Sequence, residues 1–73
     1  SVGILSDDAL FNLANIYEKY LFDNKKAMDY YQKILTEHPG SILVNEARKR
    51  FRLLRGDKLQ DEEKPVNNNG APN

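Results

Sequence analysis

Few residues in this chain could carry a reaction. His38 is its one histidine and there is no cysteine, so neither the usual nitrogen and sulfur ligand set of a metal nor a nucleophilic triad can be assembled. His38 also falls where a helix should end, and an imidazolium there simply favours the negative end of the helix dipole. Glu18 and Asp23 are ordinary surface-type acids, with nothing around them that marks a general acid and base pair. Catalysis, a metal and an organic cofactor are therefore not expected. The other chemistry-bearing stretch is "RKRFRLLR", residues 48–55, with five positive charges on and beside one helical face, the pattern of a helical nucleic-acid binder. Its only aromatic, Phe51, points inward by phase, no stacking platform accompanies it, and Asp57, Asp61, Glu62 and Glu63 follow at once. A solvated face accounts for this segment more simply than a nucleic-acid contact.

The elements that must position these groups are helices. Ser6, Asp7 and Asp8 offer N-cap oxygens and first-turn negative charge, and Leu10, Leu13, Ala14, Tyr17 and Leu21 then recur at three- and four-residue steps. This predicts a first helix over about 7–21. Asp23-Asn24 marks a turn. Ala27, Met28, Tyr31, Ile34 and Leu35 make a second apolar stripe over about 25–37, closed by His38-Pro39-Gly40 because proline disfavours helix at the residue before it. Ser41 is a candidate cap for a third helix with Val44, Ala47, Phe51 and Leu54 inward, and Gly56 suits the position just past its end.

The fold class expected is all-α: an antiparallel helical hairpin with a third, capping helix. The boundaries expected are 7–56 for the three-helix domain, with residues 1–6 a disordered or excision-derived start. The remainder, "DKLQDEEKPVNNNGAPN", is almost without apolar residues and is expected to be disordered.

Size agrees with a single domain. The chain has 73 residues, with 11 acidic and 11 basic side chains that cancel, which leaves room for one core. Without disulfides or thiolate metal sites, helix packing must supply the stability. No apolar run approaches the roughly 18 to 20 residues that span a bilayer, and membrane insertion is not expected. The chain opens Ser1-Val2-Gly3 without methionine, which fits an excised piece of a longer protein, so the compartment stays open.

Leu10-x-x-Leu13-Ala14-x-x-Tyr17, then Ala27-x-x-x-Tyr31, then Pro39 resembles the tetratricopeptide repeat, over residues 7–40. Leu10 stands for the customary tryptophan, Ala14 for glycine and Tyr31 for phenylalanine, and the step from Tyr17 to Ala27 is one residue longer than usual. The physics agrees independently of the family. Small side chains at Ala14 and Ala27 let two helix backbones approach, while Tyr17 and Tyr31 fill the space beside that contact. More loosely, Pro39, Ser41, Glu46 and Ala47 in "ILTEHPGSILVNEARKRF" resemble the repeat junctions of TolA-binding proteins and outer-membrane assembly lipoproteins. That likeness favours a periplasmic or envelope-associated bacterial parent.

The resemblance implies a scaffold or adaptor that binds a protein or peptide. In such arrays the first helix of a repeat lines a concave groove, which turns Asp8, Phe11, Asn15, Glu18 and Phe22 toward a ligand. Phe11 and Asn15 would supply an apolar anchor beside an amide. The lysines of a carboxylate clamp are missing at Asp8 and Phe11. Ala9, Ile16 and Tyr20 fall on the side where a preceding repeat would pack, so the isolated chain is expected to be marginally stable or to self-associate there as a homo-oligomer. If Ser41 opens a further repeat, its close-packing position falls on Arg48, too bulky for another helix, and Arg48, Lys49, Arg52 and Arg55 make a polar terminal face.

Overall fold

The computed structural model describes residues 4–56, and the expected tail at 57–73 lies outside them. Three helices follow one another: α1 (Asp7–Lys19), α2 (Asn24–Glu37) and α3 (Val44–Arg55). No strand occurs among the described residues.

Each helix starts and stops for a local reason. Ser6 is extended, and its hydroxyl accepts the Ala9 N–H at 3.1 Å, while Asp7 and Asp8 place negative charge in the first turn of α1. Asp23 caps α2 in the same way through the Lys26 N–H at 3.0 Å. At the far end of α3, Gly56 adopts a φ of 102° and gives its N–H to the carbonyls of Arg52 and Leu53, the left-handed close that glycine makes at little cost.

Two boundaries differ from expectation. α1 ends at Lys19 rather than near 21, because the Ile16 carbonyl takes the N–H groups of both Tyr20 and Leu21 and the Tyr17 carbonyl takes that of Asp23. The chain makes this reversal with Phe22 at a φ of 54°. Likewise Ser41 does not cap α3, whose N-cap is Leu43 with no side-chain bond. The Ser41 hydroxyl is used elsewhere: it accepts the Leu43 N–H at 2.9 Å and donates to Asp7 Oδ2 at 2.5 Å. The Ser41 carbonyl accepts from Val44, which closes a separate turn just ahead of the helix.

The core holds six fully buried residues, Leu10, Ala14, Ala27, Tyr31, Ile34 and Ala47. The two alanines expected at the α1–α2 contact are thus sealed from water, as close backbone approach requires. Tyr31, Leu10 and Ile34 are the largest of the set, and burial of side chains like these is worth roughly 1.5 to 3 kcal/mol apiece. Tyr17 stacks on Tyr30 with ring centres 5.6 Å apart, and Phe11 meets Tyr31 edge-on at 5.7 Å. Val44, Phe51 and Leu54 pack on the cluster around Ala47. Leu13 and Met28, both expected inward, are half-buried and lie outside the cluster, so each helix seals a narrower stripe than its periodicity allowed.

α2 packs against both of its neighbours. α3 runs in the same direction as α1, since Asp7 at the start of α1 meets Ser41 just before α3, and Glu18 near the end of α1 meets Arg50 well along α3.

Candidate functional site

The face of α1 that turns toward α3 carries a network of polar side chains. Near its end the Glu18 carboxylate receives three donors: the Tyr31 hydroxyl at 2.8 Å, Arg50 Nε at 3.3 Å, and Arg50 Nη2, which also closes an ion pair. One carboxylate therefore joins all three helices. Burial alone would push Glu18 upward in pKa, but the bonds from Arg50 and Tyr31 outweigh it and hold the carboxyl below its ordinary value. Burial, reinforced by the Glu18 carboxylate, raises the Tyr31 hydroxyl far above its usual value, and the bond to Glu18 raises Arg50. Under neutral conditions Glu18 is an anion, Tyr31 a neutral donor and Arg50 a cation.

One turn earlier, Asn15 Nδ2 donates to the Phe11 carbonyl at 2.8 Å, and its side-chain oxygen accepts nothing among the described residues. Phe11 is half-buried with its ring edge against Tyr31, and Asp8 is exposed at the start of the strip. Phe11, Asn15 and Glu18 thus share one side of α1, with Asp8 leading into it. Phe22 does not continue the strip: it lies past the helix end, out of helical phase, and is exposed at the turn.

The second end of the hairpin is pinned by polar contacts. Besides the bond from Ser41 to Asp7, His38 Nε2 lies 2.6 Å from the Leu5 carbonyl, so that nitrogen carries the hydrogen. The Ser41 bond holds Asp7 below its ordinary carboxyl value. Ile4, Leu5, Leu10 and Tyr30 line a shallow cavity of about 310 Å³ beside these contacts, with Lys33 and Glu37 at its rim.

On the opposite flank of α1, Ile16 and Tyr20 are exposed and Ala9 is half-buried. On α3, Arg48, Lys49, Arg52 and Arg55 are exposed, Arg48 bonds to Asn45 Oδ1 at 3.2 Å, and the Arg55 guanidinium lies 5.3 Å from the centre of the Phe51 ring. Among the described residues no group of His, Cys, Asp and Glu side chains could hold a metal ion, and no helix is long and apolar enough to cross a membrane.

The residue sequence reasoning missed is Arg50, which counted there only as one of five charges. Its signal was phase. It sits three residues after Ala47 and four before Leu54, on the flank of the inward stripe, where a long cationic side chain must find an acid or reach for water.

A hairpin sealed on alanines, with a third helix packed on its second and running parallel to its first, is the build of a helical repeat. Residues 8–41, a little under half of the chain, match the family model of the tetratricopeptide repeat, which supports a repeat of that family in this segment. Such repeats generally mediate protein–protein interactions and are a non-catalytic type of scaffold. No curated protein and no solved structure matches the chain.

Proposed function

We propose that the chain is a protein-interaction module, a scaffold or adaptor piece that binds a protein or peptide along α1 and catalyses nothing. The observation that carries this reading is the strip itself: the Asn15 side-chain oxygen, which no described residue bonds, stands beside the half-buried Phe11 ring, with Asp8 one turn ahead. An apolar anchor next to a free acceptor suits a peptide that offers an N–H donor and an apolar side chain. Glu18 would take part mainly as the fixed end of the strip, because Arg50 and Tyr31 already occupy it. Phe22 would contribute from the turn rather than from the helix.

The test is selection of displayed peptides on the full chain, with Phe11→Ala and Asn15→Ala run as paired targets. Selected peptides should lose affinity for both variants while the variants keep their helical signal. Peptides that bind the variants as well as the parent chain would overturn the reading.

The exposed Ile16 and Tyr20, with Ala9 beside them, favour a second reading: a neighbour-repeat or homo-oligomer face, in which the chain acts as a structural assembly piece. Light scattering on the chain and on Tyr20→Glu separates the two, since only the oligomer reading expects the mass to fall. Nucleic-acid binding through α3 is the third and weakest reading. Arg50 is committed to Glu18 and Arg55 lies over Phe51, which leaves Arg48, Lys49 and Arg52 for a phosphate backbone; a salt titration against DNA and RNA tests it. The envelope-associated parent belongs to this proposal as well, and the residues that precede Ser1 in the parent gene would test it.

A further inference from the structure

The corner between α1 and α2 is built against ordinary expectation in three respects. Its apex is Tyr20-Leu21-Phe22, three consecutive large apolar residues that are 75%, 58% and 81% exposed. Phe22 holds a φ of 54°, a region where a bulky side chain crowds its own backbone and where glycine or asparagine is the usual choice. The apex is also fixed in place: the Ile16 carbonyl holds Tyr20 and Leu21, the Tyr17 carbonyl holds Asp23 at 2.8 Å, and Asp23 caps α2. A strained, exposed and preorganised apolar point is what a contact surface has and a mere connection does not need.

Charge narrows the partner. Lys19, Lys25 and Lys26 flank the apex, all are exposed, and none makes an ion pair among the described residues. Lys25 and Lys26 stand in the first turn of α2, which contains no acid, although that end of a helix dipole is already positive. The contrast with α1, which opens on Asp7 and Asp8, lies within the same molecule. Nearby acids offset part of this field: Glu18, held by Arg50 and Tyr31, also feels Lys19, while Asp23 and Asp29 stand within a turn of Lys25 and Lys26, so the surplus is carried by the exposure of the three lysines and is modest. The partner must accept aromatic and aliphatic side chains at its surface and carry negative charge around them. A protein pocket with an acidic rim meets that description only by special arrangement, whereas the headgroup region of an anionic bilayer meets it everywhere.

We propose that the α1–α2 corner is an interfacial docking point for an anionic lipid surface: Tyr20, Leu21 and Phe22 enter the headgroup layer while Lys19, Lys25 and Lys26 lie against lipid phosphates and carboxylates. This is shallow, reversible contact without any spanning segment. It departs from the sequence expectation of no membrane insertion, which rested only on the lack of a long apolar run. It shares Phe22 with the peptide reading and Tyr20 with the assembly reading, and is otherwise separate from the strip on the α3 side of α1.

The chain contains no tryptophan, so Phe22→Trp in the full chain places a single reporter at the apex. Titration with phosphatidylcholine vesicles should leave its emission unchanged, and vesicles that also contain phosphatidylserine should shift it to the blue. Adding Lys25→Gln and Lys26→Gln should weaken that partition about thirty-fold, from a surface attraction of about 1 kcal/mol per lysine. Phe22→Asn should lower vesicle co-sedimentation of the chain while its urea midpoint holds or rises, which separates loss of docking from loss of fold. Three results would overturn the proposal: no shift on anionic vesicles, equal partition into both vesicle types, or a lipid-free blue shift that grows with protein concentration and assigns the corner to a protein contact.

Discussion

Removing Arg50 tests how the three helices are tied. In Arg50→Met the apolar stem is kept and the guanidinium is lost, so the Glu18 carboxylate keeps only the Tyr31 hydroxyl. The Glu18 side chain is 10% exposed and that of Arg50 is 26%. This places the pair between a surface ion pair, worth about 0.2 to 1 kcal/mol, and a buried one, whose breakage costs about 3 to 5 kcal/mol. We expect a loss of about 2 kcal/mol, with most of it shared with Glu18→Gln, so that the double variant is less unstable than the sum by about 1 kcal/mol or more. For a domain of this size, total stability of roughly 3 to 8 kcal/mol makes such a loss easy to read by urea unfolding followed by circular dichroism. The pH dependence supplies a second readout. The Glu18 carboxyl sits below its ordinary 4.5 in the folded chain and returns there on unfolding, so the unfolded state binds the proton more readily. The contribution of the network is complete above the ordinary value and is lost as pH falls through the lower folded one. Strictly additive losses in the cycle, or an acid limb that Glu18→Gln leaves unchanged, would refute the idea that this network holds α3 to α1.

Ala14→Leu and Ala27→Leu should each destabilise by about 1 to 3 kcal/mol, the cost of overpacking a sealed site, as read by urea midpoint. Gly56→Ala should cost about 1 kcal/mol, because its φ of 102° is strained for alanine although nothing lies within 4 Å. Gly40→Ala, equally open and with no positive φ, should be neutral or gain up to about 1 kcal/mol in thermal unfolding. Ser41→Ala frees Asp7, whose carboxyl is held below its ordinary 3.8 mainly by the Ser41 hydroxyl. Its stabilising share is present above that value and lost below it, so the variant should lose stability at neutral pH and converge on the parent in acid.

The helices were legible because their signals are local. Ser6 caps through its own side chain, Gly56 takes the left-handed close, and Ala14 and Ala27 are sealed; each of these follows from a residue and its near neighbours, whereas Asp23, read only as part of a turn, also caps α2. The features that escaped are those set by tertiary contact. Ser41 resembles an N-cap in sequence, but Asp7 lies beside it in space and claims the hydroxyl. Leu13 and Met28 fit the apolar period, yet a three-helix unit has too little interior to enclose every periodic position. At the corner, the early end of α1 was hidden because a phenylalanine took a backbone region that sequence rules assign to glycine or asparagine. The candidate strip was legible as a stripe through Phe11, Asn15 and Glu18, but not in its bonding state, since the partner of Glu18 lies 32 residues away.

That bonding state constrains what the strip could recognise. A ligand cation that sought Glu18 would have to displace Arg50, and with it one of the contacts that keep α3 along α1, so part of any binding energy would go into loosening the fold. A ligand anion would face the exposed Asp8 and the Glu18 carboxylate at the two ends of the strip. A neutral N–H donor at the Asn15 oxygen disturbs neither, because Asn15 Nδ2 stays on the Phe11 carbonyl while the oxygen accepts. The part of the Phe11 ring left open to solvent would then supply the apolar contact at no further cost in desolvated charge. On the proposed reading, the polar network near the end of α1 would act on specificity by exclusion: it takes Glu18 out of competition and leaves recognition to an amide, a ring and the exposed Asp8.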